Sequence, residues 1–205
     1  KIPRRLILWA LSQADEVIAL TRYLSDNLKT NGLARNIKII PGGIDTSLFT
    51  YKDRPLRNPV QFLHIANLNE VKDQTTMLKA FRIINDKVPG VLNIIGEGSL
   101  EHRIKSIVHD LNLTYNVNFL GVLPYENLPA YYHNADILLH TSLSEGQSEV
   151  VTEAMSSGVI VCGTQVGLLY DEPSCCASVP VKDFQGLANE VLHLLNDPER
   201  MRKIK

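Results

Sequence analysis

The chain has 205 residues, of which 44% are hydrophobic and 21% are charged, and its formal net charge is −1. This near-neutral balance argues against a nucleic-acid-binding protein, which usually carries a basic surplus. No apolar run approaches the ~20 residues that a membrane-spanning helix needs. Three cysteines without the spacing of a disulfide framework or a zinc site favour a reduced, cytoplasmic protein.

The first part of the chain predicts a short α/β segment. Its predicted elements are a helix at 1–11, a strand at 16–20, a helix at 22–31 and a strand at 37–40. The basic and apolar start imitates a signal peptide, but its apolar core, Leu6 to Leu11, is too short for one, so we interpret it as an internal helix. Glycine, proline and charge around residues 41–59 indicate a linker. We therefore place a domain boundary near residue 43, with one unit at 1–42 and a second at 43–205.

The second unit has a regular alternation of strands and helices. Strands are predicted at 60–66, 91–95, 117–120, 136–140, 159–162 and 175–179. Helices are predicted at 73–87, 99–112, 125–134, 148–157 and 182–196. This alternation predicts βαβ units, hence a Rossmann-like parallel sheet with helices on both faces.

The stretch from Ser144 to Gly167 is the most informative part of the sequence. Glu145 follows a buried strand, and the small polar turn Gly146-Gln147-Ser148 then leads into a helix, with Ser148 as a plausible N-cap. A helix start at the carboxyl end of a parallel strand favours phosphate groups. Glu145 and Glu153 accept hydrogen bonds and therefore suit sugar or ribose hydroxyls. The pattern predicts a pocket for a ligand that carries both phosphate and hydroxyls.

A simpler interpretation of the second glutamate remains open. Glu149 and Glu153 are four residues apart on the predicted helix, and such acidic pairs usually lie on a solvated helix face. Their mutual repulsion is only roughly 0.2–0.5 kcal/mol. Spacing alone favours the solvated face over a binding role.

Polar or glycine-rich loops also follow three other predicted strands. Lys72 lies just before a helix, where an ammonium group could contact a diphosphate, although position alone favours a surface lysine. Gly96-Glu97-Gly98 allows a close backbone approach to a ligand, and Ser99 could cap the next helix. Without further context this loop, like the loop that contains Leu123, is an ordinary turn. His140, beside Glu145, is interpreted as a packed and hydrogen-bonded histidine.

Residues 145–167, EGQSEVVTEAMSSGVIVCGTQVG, resemble the signature of the family 4 glycosyltransferases, in which two glutamates eight positions apart precede an Ala-Met pair and a glycine. The segment IPGGIDTSLF at 40–49 is similar to the family's hinge. The resemblance implies a retaining, metal-independent enzyme of GT-B architecture, with two Rossmann-like domains facing a cleft. Residues 43–205 would be its C-terminal, donor-binding half, and residues 1–42 a remnant of the N-terminal acceptor domain.

The resemblance also implies a role for each candidate residue. Glu145 would be catalytic and would meet the transferred sugar together with the amides of Gly146, Gln147 and Ser148. Glu153 would bind the ribose hydroxyls. Lys72 matches the lysine that holds the donor pyrophosphate, whereas Asn67 stands where the family usually has an arginine. Gly96, Glu97 and Gly98 match a donor-side loop, and Leu123 would line the pocket of the base.

The implied function is transfer of a hexose from a nucleoside diphosphate to an acceptor hydroxyl, as in polysaccharide biosynthesis. The partners would be the donor and a sugar or glycolipid acceptor, without a cofactor and with peripheral membrane association through the N-terminal domain. We expect the present chain alone to bind donor without transferring it. Two alternatives remain open, a non-catalytic sugar-nucleotide binding module and a GT-B isomerase of nucleotide sugars.

Overall fold

A computed structural model describes residues 3–204 of the chain. The first two residues of the predicted helix at 1–11 lie outside the described part. The strands are β1 Val17–Ala19, β2 Ile37–Ile39, β3 Val60–Ile65, β4 Gly90–Ile95, β5 Val117–Phe119, β6 Ile137–His140, β7 Ile160–Thr164 and β8 Ala177–Val179. The α-helices are α1 Arg4–Gln13, α2 Arg22–Thr30, α3 Gln74–Asn85, α4 Glu101–Asp110, α5 Leu128–His133, α6 Glu149–Ser156, α7 Leu168–Asp171, α8 Phe184–Leu195 and α9 Pro198–Ile204.

Strands β3 to β8 form one parallel sheet with the order β5-β4-β3-β6-β7-β8. This confirms the prediction of a parallel sheet made of βαβ units. From β3 the chain adds β4 and β5 on one side, and from β6 it adds β7 and β8 on the other side. The direction in which strands are added therefore reverses between β3 and β6. Loops diverge at such a switch point and leave a crevice at the carboxyl ends of the two strands.

Helices cover both faces of this sheet, as predicted. Alternate strand residues point to opposite faces; Phe62 and Ile137 join the core under α3, α4 and α8, whereas Leu63 and Leu138 join the core under α5, α6 and α7. Burial on both faces explains why the strands appear in the sequence as continuous apolar runs rather than alternating ones.

The first segment forms a small sheet of its own, with β1 parallel to β2. Its core consists of Val17, Ala19, Leu33 and Ile37, and α1 and α2 pack against it. Several apolar side chains of this segment are exposed, including Ile18, Ile40 and Trp9. Among residues 3–204, no helix combines the length and apolar character needed to cross a membrane.

Two predicted helix caps are wrong. Ser148 occupies the N-cap position of α6, but its side chain makes no capping hydrogen bond, and its backbone has a positive φ of 74°. Ser99 does not cap α4, whose N-cap is Leu100. Gly158, with φ of 72°, follows α6 in the left-handed conformation that commonly ends a helix. The helices α7 and α9 were not predicted. Helix α7 has only four residues and no side-chain cap, whereas the start of α9 does carry a signal that was overlooked: Asp197 accepts from the Arg200 amide over 2.9 Å, and Pro198 is the first helical residue.

Candidate functional site

The crevice at the switch point contains an ion pair between the loops that follow β3 and β6. Lys72 Nζ donates to Glu145 Oε1 over 2.5 Å, and Ser142 Oγ donates to the same oxygen over 2.5 Å. The Lys72 side chain is 24% exposed and that of Glu145 is 12% exposed. Lys72 is therefore not an ordinary surface lysine: it pairs with the carboxylate that the sequence singled out.

The surroundings keep Glu145 ionised. Burial raises the pKa of its carboxyl group, but the hydrogen bonds from Lys72 and Ser142 and the charge of Lys72 outweigh this and hold the pKa below its usual value. The result is a fixed carboxylate at the carboxyl end of β6. Such a group can accept hydrogen bonds from ligand hydroxyls.

Two buried histidines lie beneath this pair. The pKa of His140 is lowered to about 4, mainly by burial and in smaller part by Lys72 and His64, while the charge of Glu145 opposes the shift. Within the part of the chain that the structure describes, His140 Nε2 has no hydrogen-bond partner, although Glu145 Oε1 lies 3.5 Å away. The interpretation of His140 as a packed histidine is confirmed, whereas its Nε2 lacks the hydrogen bond that the same interpretation expected. Burial likewise lowers the pKa of His64 to about 4, so both rings are neutral near pH 7.

Glu153 is not on a solvated helix face. It is only 2% exposed, and Tyr132 Oη donates to its Oε2 over 2.6 Å. Burial and the charge of Glu153 raise the pKa of the Tyr132 phenol, which keeps it protonated as a donor. Burial and the charge of Glu153 also raise the pKa of Tyr125, which is half exposed. The solvated-face alternative is therefore wrong for Glu153, although Glu149 is exposed as that alternative expects.

The turn between Glu145 and α6 contacts the first segment of the chain. Gln147 is buried, its Oε1 accepts from the Gly42 amide over 2.6 Å, and its Nε2 donates to the Gly42 carbonyl over 3.0 Å. The Gly146 carbonyl accepts from Thr21 Oγ1 over 2.7 Å. The side chain of Gln147 is therefore occupied by the hinge. The predicted contact between Gln147 and a nucleotide-sugar ligand remains a prediction, and it concerns the backbone amide of this residue only.

The glycines of the loop after β4 are required by another loop of the protein. A Cβ atom on Gly96, where φ is 122°, would lie 2.1 Å from the Ala66 carbonyl oxygen. A Cβ atom on Gly98 would lie 2.3 Å from the Leu68 carbonyl oxygen. The two loops are joined by backbone hydrogen bonds, such as Leu68 N–H to the Glu97 carbonyl over 2.9 Å. Glu97 itself is exposed at the edge of the crevice.

A cleft of about 310 Å³ opens between these loops and α6. Four of the residues that the sequence singled out line it: Asn67, Lys72, Gly96 and Leu123. The rest of the lining is almost entirely apolar: Ile65, Ala66, Ile95, Val122, Leu128 and Val150. An apolar slot with one cation at its edge fits a ligand that has both an apolar ring and a charged group.

Sequence reasoning missed several polar partners of the site. Ser142 lies two residues after β6 and holds Glu145, Tyr132 holds Glu153, and Asp171 accepts from the Arg22 and Tyr23 amides at the start of α2 over 2.6 and 2.9 Å. Ser142 could have been found because it precedes Glu145 by three residues on the same loop. The contacts of Tyr132 and Asp171 are distant in sequence and had no local signal. Within residues 3–204, no cluster of three or more His, Cys, Asp or Glu side chains is placed to hold a metal ion.

A sequence model described as "Glycosyl transferases group 1" matches residues 51–205, which is more than half of the chain. The amylovoran biosynthesis glycosyltransferase AmsK of Erwinia amylovora is 30% identical over 196 residues, covering 89% of this chain and 48% of the relative. Glycogen synthase of Mycobacterium tuberculosis is 26% identical over 198 residues, covering 93% of this chain and 48% of the relative. The chain thus spans about half the length of these relatives.

Solved structures share the fold. Sucrose-phosphate synthase of Thermosynechococcus elongatus superposes with a TM-score of 0.84 at 25% identity, covering 98% of this chain and 54% of that one. Anabaena HepE, solved in complex with UDP and glucose, superposes with a TM-score of 0.82 at 20% identity, covering 98% of this chain and 59% of that one. The architecture is that of the C-terminal part of a GT-B glycosyltransferase structure.

Proposed function

The chain belongs to the glycosyl transferases group 1 family, and on that premise we propose that its crevice binds a nucleoside diphosphate hexose. In the longer protein, the hexose would leave the diphosphate and join an acceptor hydroxyl with retention of its anomeric configuration. Because the chain spans about half of its relatives, we assign to it the donor-binding part of this reaction.

The observation that carries the proposal is the Lys72–Glu145 pair at the switch point of the sheet. An ammonium group has three N–H donors, so Lys72 can hold Glu145 and phosphate oxygens at the same time. Glu145 is ionised and offers acceptors to the hydroxyls of the sugar next to the diphosphate. A cation and a carboxylate in contact therefore match the two parts of a sugar diphosphate.

Helix α6 supplies the remaining donor contacts in this proposal. Its first N–H groups have no partner within the helix and carry partial positive charge, which suits phosphate oxygens. Val150, in its first turn, lines the cleft. Glu153, one turn later, is fixed by Tyr132 and would accept hydrogen bonds from the ribose, while the apolar slot around Leu123 would hold the base.

One observation favours a second candidate function, a sugar-nucleotide binding module without catalysis. Asn67 lines the cleft where related enzymes usually have an arginine, and its amide brings no charge. Lys72 and the start of α6 would then hold the diphosphate without a second cation, which predicts weak binding. Turnover of donor by the longer protein separates the two functions.

Calorimetry tests the donor site directly. We expect UDP, GDP or ADP to bind in the presence of EDTA with a Kd of ~0.1–1 mM. Lys72→Ala should abolish measurable binding because it removes the cation of the cleft. Lys87→Ala, which removes an exposed lysine before β4 at the opposite edge of the sheet, is the matched control and should leave the affinity unchanged. Binding that appears only after magnesium or manganese is added would contradict the proposal.

The transfer step needs a separate comparison. Holding donor and acceptor in reactive geometry can contribute roughly 7–11 kcal/mol, and we propose that this geometry requires the longer protein. The 205-residue chain should therefore bind donor without forming product, whereas the longer protein should transfer the sugar. Equal turnover by both would place the acceptor site within residues 43–205 and contradict the division of roles.

A further inference from the structure

The turn between Glu145 and α6 is held mainly by residues that lie more than a hundred positions earlier in the chain. Gln147 pairs with both backbone groups of Gly42, and Thr21 Oγ1 donates to the Gly146 carbonyl. Gly42 belongs to the Pro-Gly-Gly segment that leads out of the small β1–β2 sheet. The first segment of the chain and the candidate donor site therefore meet at this turn.

The side chain of Gln147 connects the hinge to helix α6. Its Nε2 donates to the Gly42 carbonyl over 3.0 Å and also contacts Thr152 Oγ1, in the first turn and a half of α6, over 3.3 Å. Its Oε1 accepts from the Gly42 amide over 2.6 Å. Gln147 is 8% exposed, so water cannot readily replace these partners. A shift of Gly42 would leave both ends of a buried amide without their present partners.

The turn itself needs such support. Ser148, the next residue, has a left-handed backbone, which a non-glycine residue adopts only when its surroundings impose it. Glu145, two positions before Gln147, has its Cβ within 3.0 Å of where a Cβ on Gly167 would lie, so the turn is also confined from the α7 side. Contacts on both sides thus fix the backbone between the carboxylate and the helix start.

We propose that Gln147 is a positioning residue that couples the hinge at Gly42 to the donor site, so that the placement of the first segment sets the affinity for nucleoside diphosphate. This rests on the proposed donor-binding function. When Gly42 is clamped, the turn presents the start of α6 and Glu145 in their binding geometry. When Gly42 moves away, the turn relaxes and the donor binds more weakly.

Coupling of this kind is reciprocal. If the clamped hinge favours donor binding, donor binding must stabilise the clamp by the same factor. The Gly42 amide, which donates to Gln147, reports the clamp because its hydrogen exchange slows when that hydrogen bond forms. Donor added to the protein should therefore slow exchange at Gly42, although Gly42 does not line the cleft.

The test compares Gln147→Ala with Tyr23→Leu in the 205-residue chain, using UDP as the probe. Tyr23 packs edge-on against Tyr170 at 5.6 Å, so this change removes a neighbouring aromatic contact of the first segment while the hydrogen bonds from Gly42 and Thr21 to the turn stay in place. For Gln147→Ala we expect the Kd for UDP to rise about tenfold, the order of typical couplings, and exchange at Gly42 to become fast and insensitive to UDP. For Tyr23→Leu we expect the Kd and the UDP effect at Gly42 to stay as in the parent.

Thr21→Val supplies an independent variant, because it removes the hydrogen bond to the Gly146 carbonyl; it also removes the N-cap of α2, where Thr21 Oγ1 accepts from the Leu24 amide over 3.3 Å, so folding is checked first. It should raise the Kd in the same direction as Gln147→Ala, and it carries the test if Gln147→Ala does not fold. Parent-like affinity in these variants, or an equal loss in Tyr23→Leu, would overturn the coupling while leaving the donor site intact. A parent chain that binds none of UDP, GDP and ADP would instead overturn the proposed function, and a UDP-independent Gly42 amide in a parent that does bind would overturn the coupling alone.

Discussion

Two loops of the crevice are built in opposite ways. The loop after β4, Gly96 to Gly98, is held by backbone hydrogen bonds and by glycines that lie against the carbonyl groups of Ala66 and Leu68. The loop after β6, Ser144 to Ser148, is held by side chains: Lys72 and Ser142 hold Glu145, while Gln147 pairs with Gly42. The first loop depends on close packing, and the second on charge and hydrogen bonding.

We therefore expect the loop after β4 to contribute mainly to folding and the loop after β6 to contribute mainly to ligand binding. Changes in the loop after β4 should act on folding, since any side chain at its glycines collides with backbone atoms. Changes around the loop after β6 should act mainly on ligand binding and on pH dependence, since that loop carries the ionised and buried polar groups. Variants in the two loops should therefore differ in whether they change stability or ligand binding.

The largest effect is expected for Gly96→Ala. The new Cβ would lie 2.1 Å from the Ala66 carbonyl oxygen and φ is 122°, so collision and backbone strain combine. We expect a loss of about 4 kcal/mol in the free energy of unfolding, measured by urea denaturation. Gly146→Ala is the control, because the nearest atom to its added Cβ would be Leu24 Cδ1 at 3.7 Å. Equal losses of unfolding free energy in Gly96→Ala and Gly146→Ala would show that the loop after β4 is no more important for folding than the loop after β6.

The next effect is a pH dependence that originates beneath the loop after β6. Burial lowers the pKa of His140 and of His64 to about 4, so between pH 6.5 and 4 the unfolded chain binds more protons than the folded one. Stability is therefore fully present above pH ~6.5 and falls as the pH drops towards 4, by about 3 kcal/mol per histidine. His140→Leu should make the slope of unfolding free energy against pH clearly shallower between pH 6.5 and 4. An unchanged slope would show that His140 is not neutral in the folded protein.

Smaller effects are expected at Glu153. Glu153→Gln should weaken nucleotide binding by roughly 1.5–3 kcal/mol, the range for hydrogen bonds to a charged group. Tyr132→Phe removes the hydroxyl that donates a hydrogen bond to Glu153 Oε2. It should weaken the free energy of UDP binding by about 1 kcal/mol and reduce the ratio of the affinity for UDP to that for its 2′-deoxy analogue. Tyr131→Phe, on the neighbouring residue of α5, is the control. Equal nucleotide affinities of the parent and Glu153→Gln would show that Glu153 does not bind the ribose.

These contrasts show what the sequence could and could not predict. Apolar runs of four to seven residues between helical patterns were enough to predict β3 to β8, because both faces of the sheet are buried. The burial of Glu153 was not predictable, because its covering residue, Tyr132, lies 21 positions earlier and leaves no mark on the helical pattern. The sequence indicated that Gly96 allows a close approach of the backbone to another group. It did not indicate that this group is the Ala66 carbonyl, because Ala66 belongs to another loop.

The same limit applies to the loop after β6. Its glutamate and helix start were recognisable because they are adjacent in sequence, whereas the contact of Gln147 with Gly42 spans 105 residues. Lys72 could be placed just before a helix, in the loop that follows a strand, but its pairing with Glu145 follows only from the strand order, which puts β3 beside β6. Local signals locate candidate groups, and the topology decides which of them meet.

Amide chemical-shift mapping shows directly whether the crevice at the switch point binds a nucleoside diphosphate. UDP would be titrated in EDTA into the ¹⁵N-labelled chain. We expect the amide resonances of Lys72, Gly96 and residues 146–150 to shift together along one saturation curve, while those at the opposite edge of the sheet, around Lys87, do not move. Shifts confined to any other surface, or saturation that requires a divalent metal, would contradict this expectation.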